Sequence, residues 1–506
     1  GGVSEQRFRV GQMAYDAILV PGCVTLRRGT LERLEEFHKA GGKLIFMGEA
    51  ARFVDAVPSR EVSDLAEGCR RIRFSQTELT EALEDVRTVD IRTENGSRAD
   101  RYLYQMRDTE TGKWLFIAQA FPAENPDIPR SHTLTVRVPG IYEAQLYDTL
   151  TGAHCDLAVE HRHGDTVLRR VMADHDSLLL RLTPGAEEKR TESPAREKEY
   201  IRVQKCAERM PVTLSEPNVL LLDMAEASLD NEEWAEKEEV LRIDNILRKR
   251  LGFPLKVGAL AQPWARPKKE ARHTLSLRYT VESEIEAEGV KLAIEAPEDL
   301  TISWNGEEIG TAPDGFYTDQ DIKTIPLGKV RRGVNTLVVE MPYKVETNVE
   351  WCYLLGDFGV RVEGGHAVIT EPVKNLYFGD WTAQGLPFYG GNVTYHMPVT
   401  GNGKECVIQV PKYRAPLLSV GVDGKDAEVL AFSPYRLSLG NLEGEHTVDI
   451  TAYGSRVNSF GAVHLCDEKV TWFGPMAWRS EGEAWSYEYQ LRRAGVLAAP
   501  ILYLEK

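Results

Sequence analysis

Residues 302–341 contain, in order, ISWNGEEIG, DGFYTDQDIKTIPLG and KVRRGVNTLVVEM, and residues 420–454 repeat this plan with VGVDGKDAEVL, AFSPYRLSLG and NLEGEHTVDITAYG. In each copy an apolar strand leads through a glycine-centred turn to a strand that carries Pro or Tyr. A second turn, which ends in Gly, leads to another apolar strand. Because an internal repeat constrains the architecture of a chain, the sequence predicts two antiparallel β-sandwiches in tandem. The Asn305-Gly306 pair predicts a type I′ hairpin turn.

The composition is that of a globular protein with several domains. The chain has 506 residues, which favours three or four domains, and 42% of its residues are hydrophobic. Its net charge of −16 would repel phosphate backbones, so we expect no nucleic-acid partner. No apolar run approaches the roughly 18–20 residues of a membrane helix, so we expect no membrane partner.

The seven cysteines are widely spaced, and no two of them form a C-x-x-C motif. An odd count without such spacing argues against a disulfide framework and against a cysteine-ligated zinc site. We therefore expect free thiols in a reducing compartment, the cytoplasm of a bacterium. Secretion stays open, because the first segment of the chain predicts that further sequence lies upstream.

That first segment has an α/β pattern. Tyr15–Pro21 and Lys43–Met47 are apolar strands, and Thr30 is placed to cap a helix between them, with Leu31 and Phe37 on its apolar face. One strand–helix–strand unit cannot cover a parallel sheet on both faces. The pattern therefore predicts part of an α/β domain at the start of a C-terminal fragment. The alternative is a small α/β cap on the next domain.

The rest of the chain alternates short strands with turn residues, and one charged stretch interrupts them. The predicted fold class is mainly β, with several domains. We expect the following boundaries: a partial α/β segment at 1–75, a small β-sandwich at 76–183, a linker at 184–199, a mixed α/β connecting segment at 200–264, a first jelly roll at 265–367 and a second at 368–506.

Several stretches resemble a family of large bacterial hydrolases. YDAILVPGCVTLRRGTLERLEEFHKAGGKLIFMG (15–48) resembles the glutamine-amidotransferase-like domain that follows their catalytic barrel. PNVLLLDMAEASLD (217–230), WNGEEIG (304–310) and YLLGDFGV (353–360) resemble the C-terminal region of the α-L-rhamnosidase-like glycoside hydrolases of family 106 and of family 2 neighbours. DWTAQGLPFYGGNVTY (380–395) and SRVNSFGAVH (455–464) are similar to their last galactose-binding-like jelly roll.

The resemblance implies an architecture and a role. The family carries its acid and base on a (β/α)₈ barrel, which would precede this chain, so no residue here inherits a catalytic role. It implies a non-catalytic scaffold whose partners are an upstream barrel and a carbohydrate. A stand-alone carbohydrate-binding or adhesion protein is the alternative. A third hypothesis is a complete hydrolase with its acid and base on the sandwiches or within 200–264.

Aromatic and amide side chains are the best candidates for sugar contacts. Sugars stack their C–H faces on aromatic rings, while amides reach their hydroxyl groups. Core packing is the alternative role of the aromatic members. The candidates lie in two stretches of the predicted second jelly roll: Trp381, Gln384, Tyr389, Asn392, Asn458 and His464.

The sequence establishes no cofactor, and a structural calcium ion is the one candidate. Acidic side chains alternate within DGFYTDQD (314–321), and oxygen-rich loops bind Ca²⁺. The candidate ligands are Asp314, Asp319 and Asp321. The alternative is a strand with an exposed acidic edge.

Overall fold

The computed structural model consists mainly of β-strands that form several sandwiches. It describes residues 2–4, 6–121, 125, 128, 130–149, 151–185, 199–204, 209–255, 270–466 and 482–506. The chain divides into two compact units, one made of Gly1–Glu124 and Arg130–Pro194 and the other of Asn125–Pro129 and Ala195–Lys506. Most of the predicted linker, residues 186–198, lies outside the described residues.

The first unit begins with the expected α/β layer. Ala17–Pro21, Lys43–Met47 and Arg70–Ile72 form a parallel sheet. The first helix buries Leu31, Leu34 and Phe37 as the pattern predicts. The helices are Arg28–Lys39, Glu61–Glu67 and Gln76–Ala82, with a 3₁₀ turn at Glu84–Val86. The remaining strands are Gly2–Ser4, Arg7–Val10, Met13–Tyr15, Thr25–Leu26, Phe53–Val54 and Val57–Pro58.

The predicted cap of the first helix is wrong. The residue before the helix is Arg27, whose carbonyl already accepts the N–H of Thr30 at 3.0 Å. Thr30 therefore lies inside the first turn, because the helix begins three residues earlier than a cap at Thr30 would place it.

The small sandwich completes the first unit. Side chains from its two antiparallel sheets, Leu115 and Ile117 from one and Leu134 and Val136 from the other, share one core. The four-stranded sheet contains Asp90–Arg92, Ser131–Pro139, Asp165–Ala173 and Glu160–Arg162. The five-stranded sheet contains Tyr102–Thr109, Gly112–Gln119, Ser177–Pro184, Tyr142–Tyr147 and His154–Leu157.

The second unit contains two larger sandwiches. In the first sandwich, side chains from both sheets form one continuous core. One sheet contains Asn218–Leu222, Cys352–Gly356, Ala287–Glu295, Asp319–Val330 and Gly315–Tyr317. The other contains Glu238–Glu239, Met224–Leu229, His273–Ser283, Gly333–Tyr343, Thr301–Trp304, Glu307–Glu308, Gly359–Glu363 and His366–Thr370. A 3₁₀ turn at Pro297–Asp299 precedes the Thr301–Trp304 strand.

The second sandwich is built around two strands of 17 residues, Val393–Gln409 and Arg436–Ala452. Their pairing shifts register near Asn402 and Glu405, where bulges bend the ladder. Both ends of the pair contribute to the same core, so one sheet folds over itself. The other strands are Tyr200–Gln204, Met210–Leu214, Asn375–Leu376, Tyr413–Arg414, Leu418–Val422, Glu428–Leu430, Gly495–Val496 and Ile501–Glu505, with short helices at Trp381–Gln384 and Val457–Phe460.

The segment 200–264 is not a separate connecting layer in the structure. Tyr200–Gln204 and Met210–Leu214 add to the second sandwich, whereas Asn218–Leu222 and Met224–Leu229 add to the first. Its helix is Val240–Leu251. The helix begins after Glu239 because that carboxylate caps its first turn.

The two copies of the repeat end their first strand in the same way. Asn305 and Gly306 both have positive φ (52° and 83°), which confirms the type I′ turn. The N–H of Thr336 donates to Asn305 Oδ1 at 2.9 Å, and the N–H of Asn305 donates to the carbonyl of Thr336 at 2.8 Å. Asp423, with φ of 54°, forms the same two-way pair with Thr447. The structure therefore confirms the repeat at the level of single hydrogen bonds.

Two further expectations concern membranes and cysteines. Among the described residues, no helix is long and apolar enough to cross a bilayer. The cysteines in the described part of the chain form no disulfide, and Cys352 and Cys406 are buried in the cores of the second unit.

Candidate functional site

A cleft of about 750 Å³ opens in the second unit. Its walls come from the segment that crosses from Val212 to Asn218, from the Gly315–Tyr317 strand, and from the end of the Cys352–Gly356 strand with Asp357 and Phe358. The volume falls within the range of roughly 300–1,000 Å³ that small-molecule sites occupy. The cleft is therefore large enough for an oligosaccharide end.

An exposed aromatic ring forms part of the cleft wall. Side chains alternate along the short Gly315–Tyr317 strand, so Phe316 faces solvent with 57% of its surface exposed, whereas Tyr317 is buried. A solvated phenyl ring in a concave site offers a flat apolar surface to the C–H face of a sugar.

An ion pair supports the part of the cleft wall that carries Glu216. Arg456 donates two hydrogen bonds to the Glu216 carboxylate, one of them 2.7 Å from Nη2 to Oε2. The hydrogen bond to Glu216 also raises the pKa of Arg456. The guanidinium lies over the ring of Tyr317, 5.2 Å from its centroid. This bidentate, stacked arrangement fixes the direction of the Glu216 side chain.

Other polar side chains of the cleft are less engaged with protein partners than Glu216. The carboxylates of Glu288 and Asp357 are exposed, and neither makes an ion pair within the described residues. Asn218 is buried and donates its amide N–H groups to the carbonyls of Phe358 and Gly385, at 2.8 and 2.9 Å. Its Oδ1 has no hydrogen-bond partner among the described residues. The cleft thus combines an aromatic surface with acceptors for hydroxyl groups.

Two predicted sugar-contact residues lie behind this cleft. The Tyr389 hydroxyl accepts the N–H of Ser215 and donates to the carbonyl of Asn392, both at 3.0 Å. Asn392 Oδ1 accepts the N–H of Gly454 at 3.1 Å. Tyr389 and Asn392 therefore position the wall that carries Glu216, and direct sugar contact by them stays a prediction.

The other two members of that stretch lie on the 3₁₀ turn Trp381–Gln384. Trp381 is buried in the core of the second sandwich, and its indole Nε1 has no partner among the described residues. Gln384 accepts the N–H of Tyr377 at 2.8 Å and donates to that residue's carbonyl at 3.3 Å. The structure does not bring these two residues into the cleft.

Gln384 instead lines a second groove of about 860 Å³. Its exposed ring is Tyr377, which is 43% exposed and lies beneath the guanidinium of Arg209, 5.0 Å from the ring centroid. The groove also carries the ion pair between Arg361 and Glu284, at 2.8 Å. Like the cleft, it combines an exposed ring with charged side chains.

The last two candidates are buried. Asn458 donates to the carbonyl of Arg492 and accepts its N–H, both at 2.8 Å, so its amide is engaged on both sides. His464 places Nε2 2.7 Å from Asp223 Oδ2 and Nδ1 2.8 Å from the carbonyl of Ser486. Neither side chain lines the cleft, and their part in sugar binding stays a prediction.

His464 belongs to a buried group of titratable and aromatic residues that the sequence did not reveal. We call Asp223, His464, Tyr489, Glu239 and Trp351 the Asp223 cluster. Tyr489 donates to Asp223 Oδ1 at 2.6 Å, and its ring stacks on His464 at 5.1 Å. Burial alone would lower the pKa of His464, but the hydrogen bond and charge of Asp223 raise it above its usual value. Asp223 itself is 1% exposed.

Glu239 is the second buried carboxylate of this cluster. It accepts the N–H groups of Leu241 and Arg242 and the indole N–H of Trp351, at 3.1, 3.0 and 2.7 Å. Burial raises the pKa of Glu239 to about 7 despite these donors. A carboxyl group with a raised pKa beside a second carboxylate is a feature of hydrolase sites. Here, however, both oxygens of each carboxylate already bind protein groups, so the cluster joins elements of the fold.

The predicted calcium ligands do not converge. Asp314 pairs with Lys291 at 2.9 Å and accepts the hydroxyl of Thr324 at 2.8 Å, whereas Asp319 accepts the N–H of Asp321. Within the described ranges, no group of three or more acidic, histidine or cysteine side chains is arranged to hold a metal ion. The calcium expectation therefore gains no support from these three residues.

Reasoning from the sequence missed Phe316, Glu216, Arg456 and Tyr377. Phe316 lies inside the quoted repeat, where the alternation of Phe316 and Tyr317 in a short strand signals that one ring faces out. Glu216 and Arg456 are 240 positions apart, so no local pattern joins them.

Comparisons with known proteins give weak structural likenesses. No family model matches the chain, and no curated protein matches it. A rhamnosidase from Novosphingobium sp. PP1Y is similar over 99% of this chain and 35% of its own, with 12% identity and a TM-score of 0.46. An exo-carrageenase from Bacteroides ovatus covers 34% of this chain and 23% of its own, with 13% identity and a TM-score of 0.25. The α-L-rhamnosidase of Streptomyces avermitilis, solved with L-rhamnose, covers 81% and 38%, with 12% identity and a TM-score of 0.19.

These solved neighbours thus include two rhamnosidases. The chain spans about a third of the length of the Novosphingobium enzyme.

Proposed function

We propose that this chain is the carbohydrate-binding accessory region of a glycoside hydrolase of the α-L-rhamnosidase-like type, and that it does not itself cleave glycosidic bonds. The cleft beside Phe316 carries the proposal. It joins an exposed ring and two exposed carboxylates. These are the groups that recognise a sugar ring and its hydroxyls.

The ion pair in the cleft supports binding rather than hydrolysis. Hydrolysis needs one carboxyl that gives a proton and a second that attacks or activates water. Both carboxylate oxygens of Glu216 accept hydrogen bonds from Nη1 and Nη2 of Arg456, so neither oxygen is left free to attack a sugar. Its role in this proposal is to orient sugar hydroxyl groups.

The first experiment measures binding and turnover on the same preparation of the 506-residue chain. We expect it to bind rhamnose-containing oligosaccharides on a glycan array. We also expect no release of nitrophenol from aryl α-L-rhamnosides. Turnover that Glu239→Gln abolishes would instead place an acid catalyst in the Asp223 cluster and overturn the proposal.

A stand-alone carbohydrate-binding or adhesion protein is the second candidate, because the cleft features favour sugar binding of either kind. The two candidates differ in the reading frame that encodes this chain. The accessory role requires at least about 250 residues with barrel periodicity ahead of Gly1. A reading frame without such a barrel would favour the adhesion protein.

A further inference from the structure

The five-stranded sheet of the small sandwich has an unusual outer face. Side chains at alternate positions of its strands, such as Leu115, Ile117 and Leu180, are fully buried in the core. The positions between them therefore point to the other side of the sheet. Strand register places four of these outward residues side by side in one row, which we call the apolar row: Phe116, Leu179, Tyr147 and His154.

A second outward row runs beside the apolar row and is polar except for one indole. We call it the arginine row: Arg107, Trp114, Arg181, Gln145 and Asp156. The rings of the two rows contact one another. Trp114 and Tyr147 meet edge to face at 4.9 Å, and Tyr147 stacks on His154 at 5.0 Å. Phe116 is 40% exposed, so the apolar row is open to solvent.

Two arginines flank Trp114 without a carboxylate partner. Arg107 and Arg181 lie directly opposite Trp114 on the neighbouring strands, so their Cα atoms are about 10 Å apart. The guanidinium of Arg181 lies 5.9 Å from the Trp114 ring. Neither arginine makes an ion pair within the described residues, although the chain carries a net charge of −16. Two uncompensated cations beside an indole favour an anion that also has an apolar face.

We propose that this face binds an oligosaccharide that carries acidic groups, either carboxylates or sulfates. The sugar rings stack along the apolar row and on Trp114, and an acidic substituent lies between Arg107 and Arg181. The apolar row crosses four strands, a span of about 14 Å at the usual strand spacing, which accommodates about three sugar units. This face belongs to the first unit, whereas the cleft belongs to the second.

The test is a calorimetric titration of the 506-residue chain with three probes: a galacturonic acid trimer, a sulfated galactose trimer and a neutral galactose trimer. We expect at least one acidic trimer to bind about tenfold more tightly than the neutral one, and the better acidic probe identifies the acidic group. Raising the salt from about 0.05 to about 0.5 M weakens the acidic complex several-fold, because the arginines lie at the protein surface, where salt screens their charge.

Matched variants assign the binding to this face. Trp114→Ala and Arg181→Gln each weaken the acidic complex by about tenfold or more. Arg169→Gln, an exposed arginine on the other sheet of the same sandwich, leaves it unchanged and serves as the matched control. Phe316→Ala, in the cleft, also leaves it unchanged, so failure here is distinct from failure of the proposed function.

Three results would overturn the inference. The first is equal affinity for acidic and neutral trimers. The second is an acidic complex that Trp114→Ala does not weaken. The third is a concentration-dependent dimer in sedimentation that Trp114→Ala abolishes, because that result would assign the face to a second copy of the chain.

Discussion

The cleft and the Asp223 cluster contain the same kinds of side chain but differ in access. Both join carboxylates to aromatic rings and a cation or imidazole. In the cluster the carboxylates are buried and every oxygen has a protein partner. In the cleft, Glu288 and Asp357 are exposed and Phe316 faces solvent. If the cleft binds sugar as proposed, the number of protein partners of the carboxylates, rather than the residue composition, distinguishes it from the structural network of the Asp223 cluster.

We expect the largest change in stability from a substitution in the buried Asp223 cluster. Asp223→Ala leaves His464 and Tyr489 without their shared acceptor in the interior. Removing one member of such a buried pair costs about 3–5 kcal/mol of the free energy of unfolding. Urea denaturation measures the loss. Asp357→Ala in the cleft is the matched control and changes stability by less than about 0.5 kcal/mol. Equal losses of stability in the two variants would contradict the distinction between the Asp223 cluster and the cleft.

The pH dependence of stability gives the next largest effect. The pKa of Glu239 is raised from 4.5 to about 7, so the folded state keeps a proton that the unfolded state has lost. Its stabilising contribution is complete below pH 4.5 and is lost as pH rises to about 7. The loss is up to about 3 kcal/mol. The pKa of His464 is also raised, and its contribution is likewise lost as pH rises through the folded pKa.

Thermal unfolding between about pH 5 and pH 8 measures this dependence. We expect the melting temperature to fall with rising pH and the slope to be smaller in Glu239→Gln. The slope is compared rather than the melting temperature itself, because the amide of Gln faces N–H donors. An unchanged slope in the variant would show that Glu239 is not the titrating group.

How well the sequence predicts a structural feature depends on how far apart the interacting residues lie in the chain. The repeat, the type I′ turn at Asn305 and the buried face of the Arg28–Lys39 helix follow from local spacing and are correct. The strands of 200–264 join two different sandwiches. Apart from the short pairing between Met224–Leu229 and Glu238–Glu239, their partners lie between about 50 and 300 residues away. No local pattern encodes such pairings.

The same limit applies to the candidate site. Residue type drew attention to Tyr389 and Asn392, which lie beside the cleft. It could not reveal that their polar atoms form hydrogen bonds with the protein backbone, or that Glu216 pairs with Arg456. Exposure of Phe316 was within reach of the alternation rule, whereas the Asp223 cluster depends on contacts over more than 200 positions.

We expect the smallest change in stability for the Glu216–Arg456 ion pair, which is partly buried and also contributes to the cleft wall. Arg456 is partly buried and holds Glu216 through two hydrogen bonds. Arg456→Lys keeps the charge but loses the bidentate geometry, so we expect a loss of about 1 kcal/mol in stability. Sugar affinity in the cleft falls as well, because Glu216 is no longer fixed. Calorimetry and urea denaturation of the same sample test both. A loss of stability without a loss of sugar affinity would show that Glu216 does not contribute to sugar binding.

Sugar binding in the cleft is tested most directly by titrating two matched variants with the best rhamnose-containing oligosaccharide from the array. Phe316→Ala removes the exposed ring of the cleft, and Phe432→Ala removes another solvated ring elsewhere in the second unit. We expect affinity to fall about tenfold or more in Phe316→Ala and to stay unchanged in Phe432→Ala, while both variants unfold at the same urea concentration. Unchanged affinity in Phe316→Ala would contradict the assignment of the cleft as the sugar site.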